Sequence, residues 1–423
     1  MRPDFGAKRA LLLQGPVGPF FRRLADELIG RGVAVTRVNF NSGDQLFFRG
    51  PEAVVFRESS TAWPAFFRAL IQERGIDSIF LSGDCRPLHK QAIQIAEQLG
   101  IRVWVFEEGY LRPDHITVEP GGVNGHSSMS KDPAFYLETS GDKPPLPPAF
   151  PVGSIFGPWA WYTTLYACAL TFLGWRFPHY RHHRNNNAFR EAFCWVLGFF
   201  RKIRYRFSER RIVGHARTAW SGAYYVLPLQ VYCDSQLDHA DFENIEQLIE
   251  TVMEAFAEHA DSGVRLIIKH HPHDRGHRDY TRLIKKLGQR LACRDRVIYV
   301  HDVHLPTLLK NARGTITMNS TVGLSSMYHG TPVNVLGRAV YHVPGLSSTL
   351  SLAEFLQDPG ELDVELYQAF CRWLRDNNQL NGSYYKALDV FGSRAGIQVP
   401  GTLPWPDPTD SKRVGTLSVG ESN

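Results

Sequence analysis

The sequence predicts an α/β protein built from two doubly wound parallel sheets. Apolar runs of strand length alternate with amphipathic helical segments near the N terminus, and the same alternation resumes after residue 223. The chain of 423 residues is also too long for one ordinary hydrophobic core. We therefore expect two Rossmann-like units with a cleft between them.

The first unit is assigned to residues 1–150. The segment "RALLLQGPVGPFFRRLADELIGRGVAVTRVNF" predicts a strand, a Gly/Pro-rich turn, an amphipathic helix and a second strand. Further along, "IDSIFLSG", "PLHKQAIQIAEQLG" and "IRVWVFEEG" predict strand, helix and strand. This alternation is typical of parallel strands with helices on both faces of the sheet.

Residues 151–220 break the alternation and are interpreted as an insertion. No charge occurs between Lys143 and Arg176, whereas 176–217 holds 11 Lys and Arg against 2 acids, a net charge of +9. An interfacial membrane anchor, a helical hairpin packed on the protein, a transmembrane helix over 156–175 and a nucleic-acid surface all remain open. The basic part carries an apolar stripe at helical spacing: Phe189, Phe193, Leu197, Phe200, Ile203 and Phe207.

The second unit is assigned to residues 221–355, where five strand-like runs, beginning with "YYVLPLQV" and ending with "TPVNVLG", alternate with helical segments. Residues 356–400 are expected to form C-terminal helices that pack back on the first unit. Residues 401–423, rich in Pro, Ser and Gly, are expected to be a disordered tail.

The composition is that of a globular cytoplasmic protein. Hydrophobic residues make up 43% and charged residues 21% of the chain. The six cysteines are scattered without CxxC or zinc-type spacing, which favours reduced thiols over a disulfide framework. The N-terminal apolar run is too short for a secretion signal.

Candidate site residues of the first unit follow its strands, because ligands of open α/β sheets bind beyond the carboxyl ends of the strands. Glu107 and Glu108 end a core strand, where two like charges are costly unless one is protonated or paired. Earlier, "QGPVGP" places Gln14 before Gly15 and Gly18, which permit close approach of a ligand to the backbone.

Candidate residues of the second unit lie in "LQVYCDSQ", "KHHPHD" and "NSTVG". Asp234 is either a catalytic carboxylate or a helix cap. The histidines of "KHHPHD" suit a phosphate contact, a metal site or a solvated loop, although no HExxH spacing is present. "NSTVG" suits either simple helix capping or phosphate binding at a helix start.

These motifs together resemble a known family. "EEG", "HP" and "ST", in that order, are similar to motifs of bacterial GT-B glycosyltransferases that use CMP-activated acidic sugars. "LLLQGPVGPFFRRLADEL", "FLSGDCRPLH", "VFEEGYLRPDHIT", "GGVNGHS" and "NSTVGLSSMYHGTPVNVLGRAVY" resemble more specifically the KpsS-type capsular polysaccharide Kdo transferases, from about residue 10 to 345. The resemblance implies a GT-B architecture and a retaining β-Kdo transferase.

The resemblance also implies substrates, partners and location. The donor is CMP-β-Kdo, no metal cofactor is needed, and the acceptor is phosphatidylglycerol or lyso-phosphatidylglycerol. The enzyme is expected to be peripheral at the cytoplasmic face of the inner membrane, near a chain-extending Kdo transferase and the capsule export complex, without nucleic acid as a partner. Alternatives are a non-catalytic glycolipid binding or export component and a nucleotide-sugar epimerase.

The roles carried over from the resemblance are as follows. Asp234, within a pattern shared with Gln230 and Ser235, is the expected nucleophile, and Glu108 is the acid/base, with Glu107 as the structural or alternative member of the pair. An imidazolium at His271 is expected to stabilise the leaving phosphate. The expected CMP-binding set is His271, Pro272, Lys269, Asn319, Ser320, Thr321 and Gly323. The residues assigned to the sugar carboxylate or the acceptor are Arg112, Arg86, Gln14, Gly15 and Gly18, and Lys269 is a further candidate for the carboxylate.

Overall fold

The protein contains two separate β-sheets, as expected from the sequence. The computed structural model describes residues 5–141, 148–181, 187–232 and 242–398. One sheet has seven strands and the other has five. We call the unit around the seven-stranded sheet the first lobe and the unit around the five-stranded sheet the second lobe. The two-unit α/β fold of GT-B type is thereby confirmed.

The sheet of the first lobe is parallel at its centre and antiparallel at one edge. Its strands are β1 (Arg9–Leu12), β2 (Ala34–Asn39), β3 (Ala53–Val55), β4 (Ser78–Ser82), β5 (Arg102–Glu108), β6 (His115–Pro120) and β12 (Gln379–Asn381). Their order in the sheet is β12-β6-β5-β4-β1-β2-β3, and β6 and β12 join by antiparallel pairing. Its helices are α1 (Phe20–Gly30), α2 (Ser42–Phe47), α3 (Trp63–Arg74), α4 (Pro87–Gln98) and α5 (Pro133–Ser140).

The sheet of the second lobe is parallel throughout, with the order β11-β10-β7-β8-β9. Apolar side chains fill both of its faces, which is why its strands read as nearly continuous hydrophobic runs. The strands are β7 (Tyr224–Pro228), β8 (Arg265–Lys269), β9 (Val297–Val300), β10 (Gly314–Thr317) and β11 (Val333–Val335). The helices are α9 (Ile245–His259), α10 (Thr281–Arg290), α11 (Leu305–Lys310), α12 (Val322–Tyr328) and α13 (Leu352–Gln357).

The segment between the lobes is helical and belongs to neither sheet. It contains α6 (Phe156–Leu173), α7 (Ala188–Ser208) and α8 (Arg210–Arg217). Asn187 caps α7 by accepting hydrogen bonds from the first backbone N–H groups of the helix. Among the helices within the described ranges, none is both long enough and apolar enough to cross a bilayer.

The C-terminal segment returns to the first lobe. Helix α14 (Val364–Asn377) packs beside α5, and the strand that follows it pairs with β6. The sequence analysis anticipated the late helix but not the strand, because a three-residue run carries too little pattern to identify. Strand β6 was missed as well.

Candidate functional site

The two adjacent carboxylates at the end of β5 point in different directions. Successive side chains of a strand alternate between the faces of the sheet, so neighbours need not repel each other at close range. Glu108 accepts a hydrogen bond from the hydroxyl of Tyr385 at 3.3 Å. Glu107 accepts from the backbone N–H of Glu108 at 3.0 Å and lies over Gly83 together with Arg86. Because the pleat directs the two carboxylates to opposite faces of the sheet, the repulsion between them is smaller than their adjacency in the sequence suggests.

Gly109 completes this motif for a steric reason. A Cβ at this position would collide with the carbonyl of His115 on the neighbouring strand. Without a side chain at 109 the backbone turns tightly, and its carbonyl accepts a hydrogen bond from Nε of Arg112 at 3.2 Å. Arg112 is thereby held at the carboxyl end of β5 with an exposed guanidinium.

Gln14, Gly15 and Gly18 of "QGPVGP", which the resemblance assigned to the acceptor, are buried and contact other parts of the protein. Nε2 of Gln14 donates to the carboxylate of Asp44 and to the hydroxyls of Tyr166 and Tyr180. The aromatic ring of Phe21 fills the space that a side chain at Gly15 would need, and the ring of Tyr162 does the same at Gly18. The absent side chains therefore admit aromatic rings of the protein itself.

His271 lies two residues after the end of β8. Burial, reinforced by His273, Lys269, His270 and the guanidinium of Arg112, lowers the pKa of His271 to about 3. The ring of the unliganded protein is therefore neutral near pH 7, whereas the role expected beside the leaving phosphate used an imidazolium. Nδ1 accepts from the backbone N–H of His273 at 3.2 Å, which places the ring proton on Nε2.

The influence of Arg112 on His271 also locates the two strand ends relative to each other. Arg112 follows β5 of the first lobe, and His271 follows β8 of the second. An effect of one charge on the other requires that they lie close, because water screens exposed charges over short distances. Two of the residues singled out in the sequence are therefore electrostatically coupled across the lobes.

Lys269 and Gly323, which the resemblance assigned to the donor, both have structural roles. Nζ of Lys269 is buried and donates to the backbone carbonyls of His270 at 3.1 Å and His301 at 2.8 Å. Burial lowers the pKa of Lys269 to about 8. Gly323 is needed because a Cβ there would overlap the ring of Tyr341.

Asn319 lies where the lobes touch. Its side-chain oxygen accepts from Nε2 of Gln230 at 2.8 Å, so two residues predicted from separate motifs are in direct contact. Its backbone carbonyl accepts from Nδ2 of Asn124, in the first lobe, at 3.1 Å. Ser320 and Thr321 follow and are half-buried, and Oγ of Ser320 accepts from the backbone N–H of Val322.

Arg86 and Pro272 have a less direct relation to this region. Arg86 precedes α4, and its charge acts on the buried carboxyl of Asp44. Pro272 is exposed and begins a short 3-10 turn. Asp234, the expected nucleophile, and Ser235 lie outside the described residues. A cavity lined by Gly18, Phe21, Arg37, Asp44 and Tyr166 lies within the first lobe, away from His271.

The sequence analysis missed the residues that shape the loop 123–129, which reaches the second lobe. The carboxylate of Asp84 accepts from the backbone N–H of Val123 and lies 3.1 Å from Nδ1 of His126. Burial raises the pKa of Glu119 to about 7, although the hydroxyl of Ser127 donates to it. The motif "GGVNGHS" contains the start of this loop. It contributed to the family resemblance, but no residue in it was assigned a role.

Asp84, Cys85 and His126 also bring three possible metal ligands together, within 4.8 Å of one another. Hydrogen bonds account for this proximity, since Sγ of Cys85 donates to one carboxylate oxygen of Asp84 and His126 contacts the other. The same carboxylate also accepts from the backbone of Val123. The cluster therefore has a structural explanation in shaping the loop 123–129.

Comparison with known proteins gives the family. Residues 77–385 match the model of the family described as "Capsule polysaccharide biosynthesis protein". The chain belongs to this family. It is 38% identical over 383 residues to the capsule polysaccharide export protein KpsS of Escherichia coli, covering 89% of this chain and 97% of that protein. The family resemblance inferred from the motifs is thus confirmed.

Two further similarities were found. The chain is 39% identical to the capsule polysaccharide modification protein LipB of Neisseria meningitidis serogroup B, over 90% of this chain and 93% of that protein. Among solved structures, a β-Kdo 2,7 transferase, KpsC of Thermosulfurimonas dismutans, aligns with a TM-score of 0.40 at 14% identity, covering 85% of this chain and 89% of that one.

Proposed function

We propose that the protein is a retaining glycosyltransferase of capsule polysaccharide synthesis. It transfers β-Kdo from CMP-β-Kdo to a phosphatidylglycerol-type lipid at the cytoplasmic face of the inner membrane. The proposal needs no metal cofactor, and its partners are the donor, the lipid and the membrane surface. A chain-extending Kdo transferase and the capsule export complex are the expected neighbours in the pathway.

The charge of Arg112 acts on the ring of His271 across the two lobes, and this coupling is the observation that supports the proposal most directly. A cationic guanidinium from one lobe and a neutral Nε2–H donor from the other suit a sugar that carries a carboxylate beside a phosphodiester. Membership in the capsule polysaccharide family gives this chemistry its context.

The proposed reaction has two displacements at the anomeric carbon. A carboxylate oxygen of Asp234 attacks that carbon, and CMP leaves with the bonding electron pair while Nε2–H of His271 donates to the phosphate. Glu108 then takes the proton of the acceptor hydroxyl, whose oxygen displaces Asp234. Two inversions retain the β configuration. The hydroxyl of Tyr385 positions Glu108 for this role.

Mass spectrometry of the lipid product tests the function. The full chain is incubated with phosphatidylglycerol and with CMP-Kdo generated in place by a synthetase, and a lipid heavier by one Kdo is expected. Asp234→Ala should abolish the product while CMP still binds, and His271→Ala should weaken CMP binding. If a folded wild-type protein gives no heavier lipid under these conditions, the proposed transfer is incorrect.

The Escherichia coli relative is named an export protein. This name supports a second candidate function: a component that binds capsule glycolipid without catalysis. This candidate predicts that a Kdo-bearing lipid binds equally well to the wild type and to the Asp234→Ala and Glu108→Gln variants, and that no product forms. Binding without turnover in the wild type would favour it.

A further inference from the structure

Helix α7 has its polar and apolar faces reversed with respect to the protein core. A surface helix of a globular protein buries its apolar stripe and exposes its polar face. In α7 the side turned toward the protein is instead formed by small or polar residues at intervals of three or four, namely Glu191, Cys194, Gly198, Arg201 and Tyr205, of which Cys194 is buried and the others are half-buried. The apolar stripe is exposed.

The side of α7 turned toward the protein holds the loop that carries His271, residues 270–278, which we call the histidine loop. The backbone carbonyl of Cys194 abuts Gly276, where any side chain would collide with it. Glu191 pairs with His277 at 3.2 Å. Arg201 donates to the backbone carbonyl of Arg275 at 2.8 Å. This polar face of α7 therefore packs on the second lobe.

The exposed face of α7 is strongly apolar. Phe189 is 70% exposed, Phe193 68%, Phe200 63% and Phe207 73%. Val196 and Ile203 lie between them in the same stripe and are also exposed. Isolated exposed apolar residues are normal on protein surfaces, but a continuous stripe of this length marks an interaction site.

Helix α6 extends this surface. Trp161 and Phe172 of α6 and Trp175, just after its end, are exposed, and the ring of Phe172 lies 6.2 Å from that of Phe189, so the two stripes meet. The other side of α6 is bound to the first lobe, where Oγ of Ser42 donates to the carbonyl of Ala169 at 2.7 Å. We call the combined exposed stripes of α6 and α7 the apolar face.

The charges around the apolar face have one sign. Residues 176–217 contain two acids, Glu191 and Glu209, and both are turned toward the protein, against His277 and His301. The basic side chains remain at the surface beside the stripe: Arg190, Lys202, Arg204, Arg206, Arg210 and Arg211. A basic rim around an apolar centre complements an anionic lipid surface.

We propose that the apolar face inserts into the interfacial region of an anionic bilayer, and that α7 thereby holds the histidine loop at the membrane. This inference rests on the proposed function for its biological use, since a lipid acceptor must be reached. A single-stranded nucleic acid also binds basic and aromatic surfaces, but it stacks on separate rings, whereas this stripe includes the aliphatic Val196 and Ile203.

Flotation of the full chain with vesicles tests the proposal. Vesicles of phosphatidylcholine alone are compared with vesicles that also contain phosphatidylserine, an anionic lipid that is not the proposed acceptor. We expect the wild type to float with the phosphatidylserine vesicles, and Phe193→Ser/Phe200→Ser/Phe207→Ser to bind at least tenfold more weakly. Tyr328→Ser/Val364→Ser, at exposed apolar positions elsewhere, should bind like the wild type.

Several outcomes would overturn this assignment. One is that the folded wild type fails to float with the anionic vesicles, and another is that the triple serine variant floats as well as the wild type. A second copy of the chain or a single-stranded RNA probe found to cover the apolar face would also overturn it. Turnover on a short-chain, water-soluble phosphatidylglycerol separates the two proposals. The triple variant should keep this turnover. If the proposed function fails, the flotation result still decides whether the apolar face binds membranes.

Discussion

The side-chain amide of Asn124 donates a hydrogen bond to the backbone carbonyl of Asn319, 3.1 Å away in the other lobe. Asn124 has a left-handed backbone with φ of 52°, which asparagine and glycine adopt more readily than other residues. Its side-chain oxygen also faces the backbone N–H of Val340 at 3.4 Å. One residue thus combines an unusual backbone conformation with a contact between lobes.

Replacement of Asn124 separates these two properties. Asn124→Gly keeps the left-handed backbone and removes the contact, so we expect CMP to bind more weakly while the free energy of unfolding falls by about 1 kcal/mol per lost hydrogen bond. Asn124→Ala should be less stable than Asn124→Gly, because alanine also strains the backbone. Titration calorimetry with CMP and urea denaturation measure the two effects. Wild-type CMP affinity in Asn124→Gly would show that the contact has no part in donor binding.

Glu119 makes stability depend on pH. Its pKa is about 7 in the folded protein against an ordinary value of 4.5, so the folded state binds the proton more tightly than the unfolded state. Stability therefore falls as pH rises from 4.5 to about 7 and is then constant, with a total loss of up to about 3 kcal/mol. Glu119→Gln should be more stable than the wild type at about pH 8 and similar to it at about pH 5.

Urea denaturation of both proteins at the two pH values measures this difference. Glu361→Gln, at an exposed position, is the matched control and should behave like the wild type at both pH values. An equal difference between the wild type and Glu119→Gln at both pH values would contradict the proposed titration of Glu119.

Glu209 anchors the end of α7 to the second lobe. Its buried carboxylate accepts from the backbone N–H groups of His301 and Asp302 and contacts Nδ1 of His301 at 3.0 Å. Because hydrogen bonds to a charged group are strong and their loss leaves buried donors unpaired, Glu209→Ala should lower the free energy of unfolding by about 3 kcal/mol. Glu258→Ala, at an exposed acid, should change it by less than about 0.5 kcal/mol. Equal urea midpoints for the two variants would refute this anchoring role.

His271 and Lys269 were both assigned to the donor from the sequence, and the structure separates them. His271→Ala should weaken CMP binding and leave the urea midpoint nearly unchanged, because the ring is half-buried at the loop surface. Lys269→Met should keep CMP binding but lower stability by about 1 to 3 kcal/mol, since two buried carbonyls lose their donor. Loss of CMP binding in Lys269→Met, with the protein folded, would restore its original assignment.

The sequence predicted the elements that carry a strong pattern. The alternation of apolar strands and amphipathic helices gave both sheets, and the apolar stripe from Phe189 to Phe207 gave α7. The strands β3, β6 and β12 were missed, because their short or mixed patterns depend on pairing partners far along the chain.

The topology places some candidate residues near one another, whereas packing decides the surroundings of others. His271 and Arg112 both follow core strands, and the charge of Arg112 acts on His271, as the topology of open α/β sheets implies. At Gly15, Gly18 and Gly323, an aromatic ring of the protein occupies the space that a side chain would need. A local motif cannot show whether such a space holds a ring of the protein or a ligand.

The attachment of α6 to one lobe and α7 to the other constrains how the molecule can move. Ala169 of α6 contacts Ser42 in the first lobe, Glu209 holds α7 to the second, and the two helices are joined by a hydrogen bond from Ala188 to Thr171. Relative rotation of the lobes must therefore move or deform this pair of helices as well as the contact of Asn124 with Asn319. With the proposed membrane contact, this helical link between the lobes would lie at the bilayer.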